Sequence, residues 1–164
     1  MPALTPGKTA PDFSLEGIDG KNHSIHEELK SRLVLAAFYK KSCPVCQLTF
    51  PFLERIGKAY AGLSFEVLGI AQDEPHEAEQ FAEEFQLSFP IVIDEEPYKV
   101  SSAYGITNVP SIFLIDHDGK ILQTLVGFDK AGLIETSKFI ATRLHQPTTP
   151  VFTKADNVPD FKPG

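Results

Sequence analysis

The chain is 164 residues long, 42% hydrophobic and 23% charged, with a net charge of −7. Such a chain suits one domain that buries about two thirds of the surface its unfolded form exposes, and its composition argues against disorder. Its Lys and Arg residues are scattered, which excludes the basic footprint of a nucleic-acid binder, and no apolar run reaches the ~18 residues of a membrane span.

Met1-Pro2-Ala3-Leu4-Thr5-Pro6-Gly7 lacks a basic stretch followed by an apolar core, so no signal peptide is visible. A cytoplasmic location is expected by default, or an exported one if a leader has been trimmed. Residues 13–15 and 22–24 flank an Asp19-Gly20 turn and predict a hairpin. Ser24 then caps a short helix through Leu29-Lys30. Residues 33–39 are apolar throughout, the pattern of a strand buried on both faces. From Pro44 to about Tyr60, the residues Val45, Leu48, Phe52, Ile56 and Tyr60 recur at helical spacing, and Pro51 inside that run predicts a kink.

Residues 65–71 read as the next strand, followed by a helix with Ala78, Phe81, Ala82 and Phe85 inward. Residues 91–93 predict a short strand and 98–104 a short helix closed by Gly105. Residues 112–115 and 121–126 flank Asp118-Gly119, a second hairpin signal. Asp129 caps a last helix with Leu133, Ile134, Ile140 and Leu144 on its apolar side. The alternation of strand and helix, then a hairpin and a helix, predicts a mixed central sheet with helices on both faces. The segment from Gln146 to Gly164 carries Pro147, Pro150, Pro159 and Pro163. No regular element is expected in it, although Phe152 and Phe161 could pin it to the body.

Both cysteines of the chain fall in Cys43-Pro44-Val45-Cys46, at the junction between the strand at 33–39 and the following helix. A disulfide closing so small a ring restrains little of the unfolded chain, because the entropic gain grows with loop length. Redox chemistry is therefore the better reason for the pair. Cys43 falls near the helix N-cap, with Pro44 in the first turn, where a missing N–H costs nothing. The unpaired N–H groups and dipole of the helix, with Lys40 and Lys41 nearby, favour the nucleophilic thiolate of Cys43. Cys46, one turn inside the helix, should be more buried and resolve the mixed disulfide. The competing readings of the pair are inert thiols or half of a zinc site. Zinc would need two more ligands from His23, His26, His76, His117 and His145, none at finger-like spacing. No metal or other cofactor is expected.

These residues resemble the thioredoxin-like superfamily, closest to its TlpA-like and AhpC/TSA redoxin thiol–disulfide oxidoreductases. Carrying the resemblance are Ala10-Pro11-Asp12-Phe13-Ser14-Leu15, the cysteine motif with Pro51 beyond it, the run from Tyr104 through Val109-Pro110 to Asp116, and Gly127-Phe128. The resemblance, which runs from about residue 5 to 144, implies an α/β thioredoxin-like fold; the domain is read as residues 1–145, with the N-terminal β-hairpin as an extension and the Pro-rich tail at 146–164 beyond it. It also implies a cis-proline at Pro110 facing the cysteines, with Val109 offering its backbone to an incoming disulfide-bearing chain. The implied partners are a disulfide-containing protein or small thiol, with a separate electron donor or acceptor.

The chain departs from that pattern in three places. Ser42 replaces the aromatic common before the first cysteine. Ala37 stands where thioredoxins place a buried carboxylate, and Thr49 where TlpA-like members often carry Glu. The usual proton acceptors for Cys46 are thus missing. Two other functions fit a chain of this kind: a thiol-dependent peroxidase, and a non-catalytic binding module. A peroxiredoxin-type site wants Pro and Thr or Ser at fixed positions before its cysteine. Counting back from Cys43 meets Lys40 and Ala36, and from Cys46 meets Cys43 and Tyr39.

Overall fold

The computed structural model describes residues 2–164. Its centre is a five-stranded sheet in the order β5-β4-β3-β6-β7. The middle strand β3 (Leu33–Tyr39) is buried at every position because helices cover both faces. Leu33, Leu35, Ala37 and Tyr39 face one core, and Val34, Ala36 and Phe38 face the other. Strand β4 (Phe65–Ala71) runs parallel to β3, with Leu33 level with Phe65 and Tyr39 with Ala71, and β5 (Ile91–Ile93) runs parallel to β4. On the other side β6 (Ser111–Ile115) and β7 (Ile121–Val126) are antiparallel, joined through Asp118-Gly119.

The first core receives α2 (Pro44–Ala59), α3 (Pro75–Glu84) and α5 (Lys130–Leu144). The second receives α1 (Ile25–Leu29) and Tyr104, which closes α4 (Lys99–Ala103). The hairpin of β1 (Ser14–Glu16) and β2 (Asn22–Ser24) sits against the free edge of β5, where the Ile18 N–H donates to the Ile91 carbonyl at 2.9 Å. Residues 7–10 cover the β7 end in the same way, with Gly7 N–H on the Ile121 carbonyl. Both sheet edges are thereby shielded from pairing with another chain. Ser24 and Asp129 cap α1 and α5 as the sequence predicts. Among the described residues no helix is long and apolar enough to cross a membrane.

Helix α2 runs on past Pro51, where the Gln47 carbonyl loses its N–H partner. Two local expectations change. Ile134 is 37% exposed. Leu133, Ile140 and the partly buried Leu144 face the core as expected, joined by Thr136, Ser137 and Ala141, and the helix buries two hydroxyls because each is satisfied. Thr136 Oγ1 donates to the Gly132 carbonyl, and Ser137 Oγ to the Thr149 carbonyl. Lastly, the 146–164 segment is not wholly irregular. Its residues Phe161–Lys162 form β9, antiparallel to β8 (Phe128–Asp129). Phe152 packs as expected, 4.7 Å from the Phe52 ring, whereas the Phe161 ring is 55% exposed. Phe161 is held through its backbone, since two paired residues supply ladder bonds without any apolar face.

Candidate active site

The end of β3 delivers the chain into the short loop Lys40–Ser42, and α2 begins at the next turn. Cys43 is its N-cap, in an extended conformation (φ −84°, ψ 114°), and its sulfur accepts the Cys46 N–H at 3.4 Å. That N–H is one of the four that a helix start leaves without an internal partner. Pro44 occupies the first turn. Across from Cys43 lies the loop before β6, whose Val109–Pro110 peptide is cis. The Cys43 thiol donates to the Val109 carbonyl at 3.4 Å. Ser111 Oγ donates to the Asn108 carbonyl at 2.6 Å, and the Gly127 N–H donates to the Pro110 carbonyl at 2.8 Å, which fixes this loop against the sheet. Four of the residues named from the sequence, Cys43, Cys46, Val109 and Pro110, thus meet at one end of the sheet.

The two thiols are free and differ in environment. Cys43 is half-buried between exposed Ser42 and Pro44, and Cys46 has no exposure. Burial pushes the Cys46 thiol far up, with Cys43 and Asp73 adding to the shift and the Lys40 N–H opposing it. Lys40 and Lys41 stand in the preceding loop, but their ammonium groups have other partners. Lys41 Nζ donates to Gln80 Oε1 at 2.5 Å, and Lys40 Nζ lies 5.8 Å from the Tyr98 ring centre. The Lys41 backbone does more for the site: its N–H donates to Asp73 Oδ2 at 2.8 Å, and its carbonyl accepts Gln47 Nε2 at 2.9 Å.

Asp73 escapes a reading of the sequence, where Asp73-Glu74-Pro75-His76-Glu77 looks like a solvated helix start. The register of β3 on β4 brings it in, because pairing of Tyr39 with Ala71 sets residues 40–41 level with 72–73. Burial raises the proton affinity of its carboxyl, against the Lys41 N–H and the two lysine charges. Ala37 and Thr49, at the positions of the missing acceptors, are both buried, and Thr49 Oγ1 is committed to the Val45 carbonyl at 2.7 Å. Among the described residues no three His, Cys, Asp or Glu side chains converge to hold a metal ion.

Residues 6–124 match the family described as AhpC/TSA. The chain belongs to the AhpC/TSA family. Its relatives include the thiol-disulfide oxidoreductase ResA of Geobacillus thermodenitrificans (strain NG80-2), 35% identical over 126 residues, covering 76% of this chain and 71% of that protein. The ResA of Halalkalibacterium halodurans is 32% identical over 122 residues, covering 74% and 68%. Among solved structures, the thioredoxin domain of a thiol-disulfide oxidoreductase from Bacteroides vulgatus superposes with a TM-score of 0.75 at 25% identity, covering 84% of this chain and 99% of that one. This AhpC/TSA chain therefore has the thioredoxin-like fold that its sequence resembles. The fold is shared with the peroxidoxin BcpB of Mycobacterium tuberculosis (TM-score 0.71, 21% identity, 87% and 97% covered), a likeness of architecture alone.

Proposed function

We propose that this chain exchanges disulfides through Cys43 and Cys46, with Cys43 attacking and Cys46 resolving. The carrying observation is the asymmetry of the pair: one sulfur at the helix start, half-exposed beside the Val109 carbonyl, and the other buried one turn below. The Cys43 thiolate attacks one sulfur of a substrate disulfide, forming a mixed disulfide and expelling the other sulfur as a thiolate that takes up a proton. Cys46 then loses its proton and attacks the Cys43 sulfur, closing the Cys43–Cys46 disulfide and releasing the second substrate thiolate. Two electrons pass to the substrate, and a dithiol donor returns them. The reverse sequence oxidises a substrate dithiol.

The Cys46 proton needs an acceptor, and Asp73 is the carboxylate whose charge reaches that thiol. The substrate backbone docks at Val109, next to Pro110. Among the described residues the Val109 N–H has no acceptor, so it is a donor that a strand reaching this loop can take up. The test is a trap. Reduced Cys46→Ser protein, treated with glutathione disulfide, should accumulate a stable adduct on residue 43, while Cys43→Ser protein should not. Equal adduct formation by both variants, or by neither, would reject the assignment.

A further inference from the structure

We propose that residues 160–164 form a strap across the groove leading to Cys43, and that this strap determines which disulfides the pair can reach. The inference rests on the thiol–disulfide reading above and adds a specificity element to it. The backbone of the strap is laid directly against the docking loop. The Lys130 N–H donates to the Asp160 carbonyl at 3.0 Å, and β9 pairs with β8. Asn108 Nδ2 then donates to the Gly164 carbonyl at 3.1 Å. A methyl group added at Gly164 would lie 2.5 Å from the Val109 oxygen, the atom that also receives the Cys43 thiol. A methyl group added at Gly127 would collide with the Lys162 carbonyl and come within 3.0 Å of the Gly164 nitrogen. The main chain of 162–164 therefore fills the notch between Gly127 and Val109, on the backbone where an extended substrate would pair.

The strap is weakly held at this end and firmly held upstream. Residues 160–164 are all exposed, so little apolar surface opposes their lifting. Upstream, Arg55 donates to both carboxylate oxygens of Asp156 at 2.6 and 2.9 Å, and to the Val151 carbonyl at 3.2 Å. The Phe152 ring sits between Phe52 and Phe128. The strap can thus open while the rest of the segment stays docked. A compact disulfide reaches Cys43 past exposed Ser42 and Pro44 with the strap closed. A disulfide within an extended polypeptide needs the backbone positions that the strap occupies.

The test compares prereduced wild-type protein, a variant lacking residues 160–164, and Arg55→Ala, each reacted in a single turnover with insulin and with glutathione disulfide. In each reaction the cysteine pair gives two electrons to the substrate disulfide and is left oxidised. Removing the strap should raise the insulin rate at least fivefold and move the glutathione disulfide rate by less than twofold. Arg55→Ala should shift the ratio the same way by about twofold, and it decides the matter should the shortened chain not fold. An unchanged ratio in the variants, or a fall in the insulin rate, overturns the strap while leaving the cysteine chemistry standing. Failure of both substrates to oxidise the wild-type pair removes the parent reading, and the strap with it.

Discussion

Cys46 and Asp73 act on each other electrostatically, the carboxylate adding to the burial that raises the thiol. A negative carboxylate near a buried thiol disfavours its ionisation, so Asp73→Asn should lower the proton affinity of Cys46. Alkylation of Cys46 in a Cys43→Ser background should then begin at lower pH when Asp73 is Asn. Under the proposed exchange the same substitution also removes the acceptor for the Cys46 proton, so resolution of the mixed disulfide in otherwise intact protein should slow several-fold near pH 7. Unchanged alkylation and resolution would show that Asp73 serves only to hold the Lys41 N–H. The cysteines themselves are legible in the sequence because their spacing and their place after a buried strand are local facts. Asp73 is not, because its proximity depends on which strand pairs with β3 and in what register. Val109 and Pro110 were reachable only through resemblance, since Val-Pro before a strand is otherwise an ordinary turn.

Between elements, α1 and β4 share a charge that makes stability depend on pH. Glu66 on β4 faces Glu28 and Arg32, and its Oε2 is buried without a hydrogen-bond partner. Burial, with Glu28 adding and Arg32 opposing, pushes its carboxyl up to about 7. The folded state thus binds this proton more tightly than the unfolded chain does. Its contribution is complete below the unfolded value near 4.5 and is lost as pH rises through about 7. Thermal unfolding should therefore show the wild type losing stability between pH 5 and 8 relative to Glu66→Gln, whose profile should be flatter. Parallel profiles would place the proton elsewhere. Most elements here were readable because their signals are periodic or chemical: the apolar run of β3, the spacing in α2, and the Asp-Gly turns. The two residues of β9 hold no period, and Ile134 lies one position round the helix from the buried stripe, a shift that apolarity alone does not reveal.

For the whole molecule, the segment after residue 145 acts as a clasp rather than a loose end. It joins α2 to β8 through the Phe152 ring and the Arg55–Asp156 pair, contacts far apart in sequence. The neighbouring Arg55 holds the Asp156 carboxyl well below the usual carboxylate range, so the pair persists through mildly acidic solution. We expect Phe152→Ala to lower unfolding free energy by about 2 kcal/mol, less than for a fully buried ring because this one is only half-covered. Denaturant titration should show this as an earlier midpoint within a single transition. A separate early transition would mean that 146–164 unfolds alone, as a composition rich in proline suggests. That composition conceals the clasp, because its anchors are isolated side chains without a pattern.

The thiol of Cys43 spends its proton on the very oxygen that a guest peptide would claim. Once that sulfur has bonded to a substrate sulfur it carries no proton to give, so in the proposed mixed disulfide the same oxygen is released to the backbone of the guest.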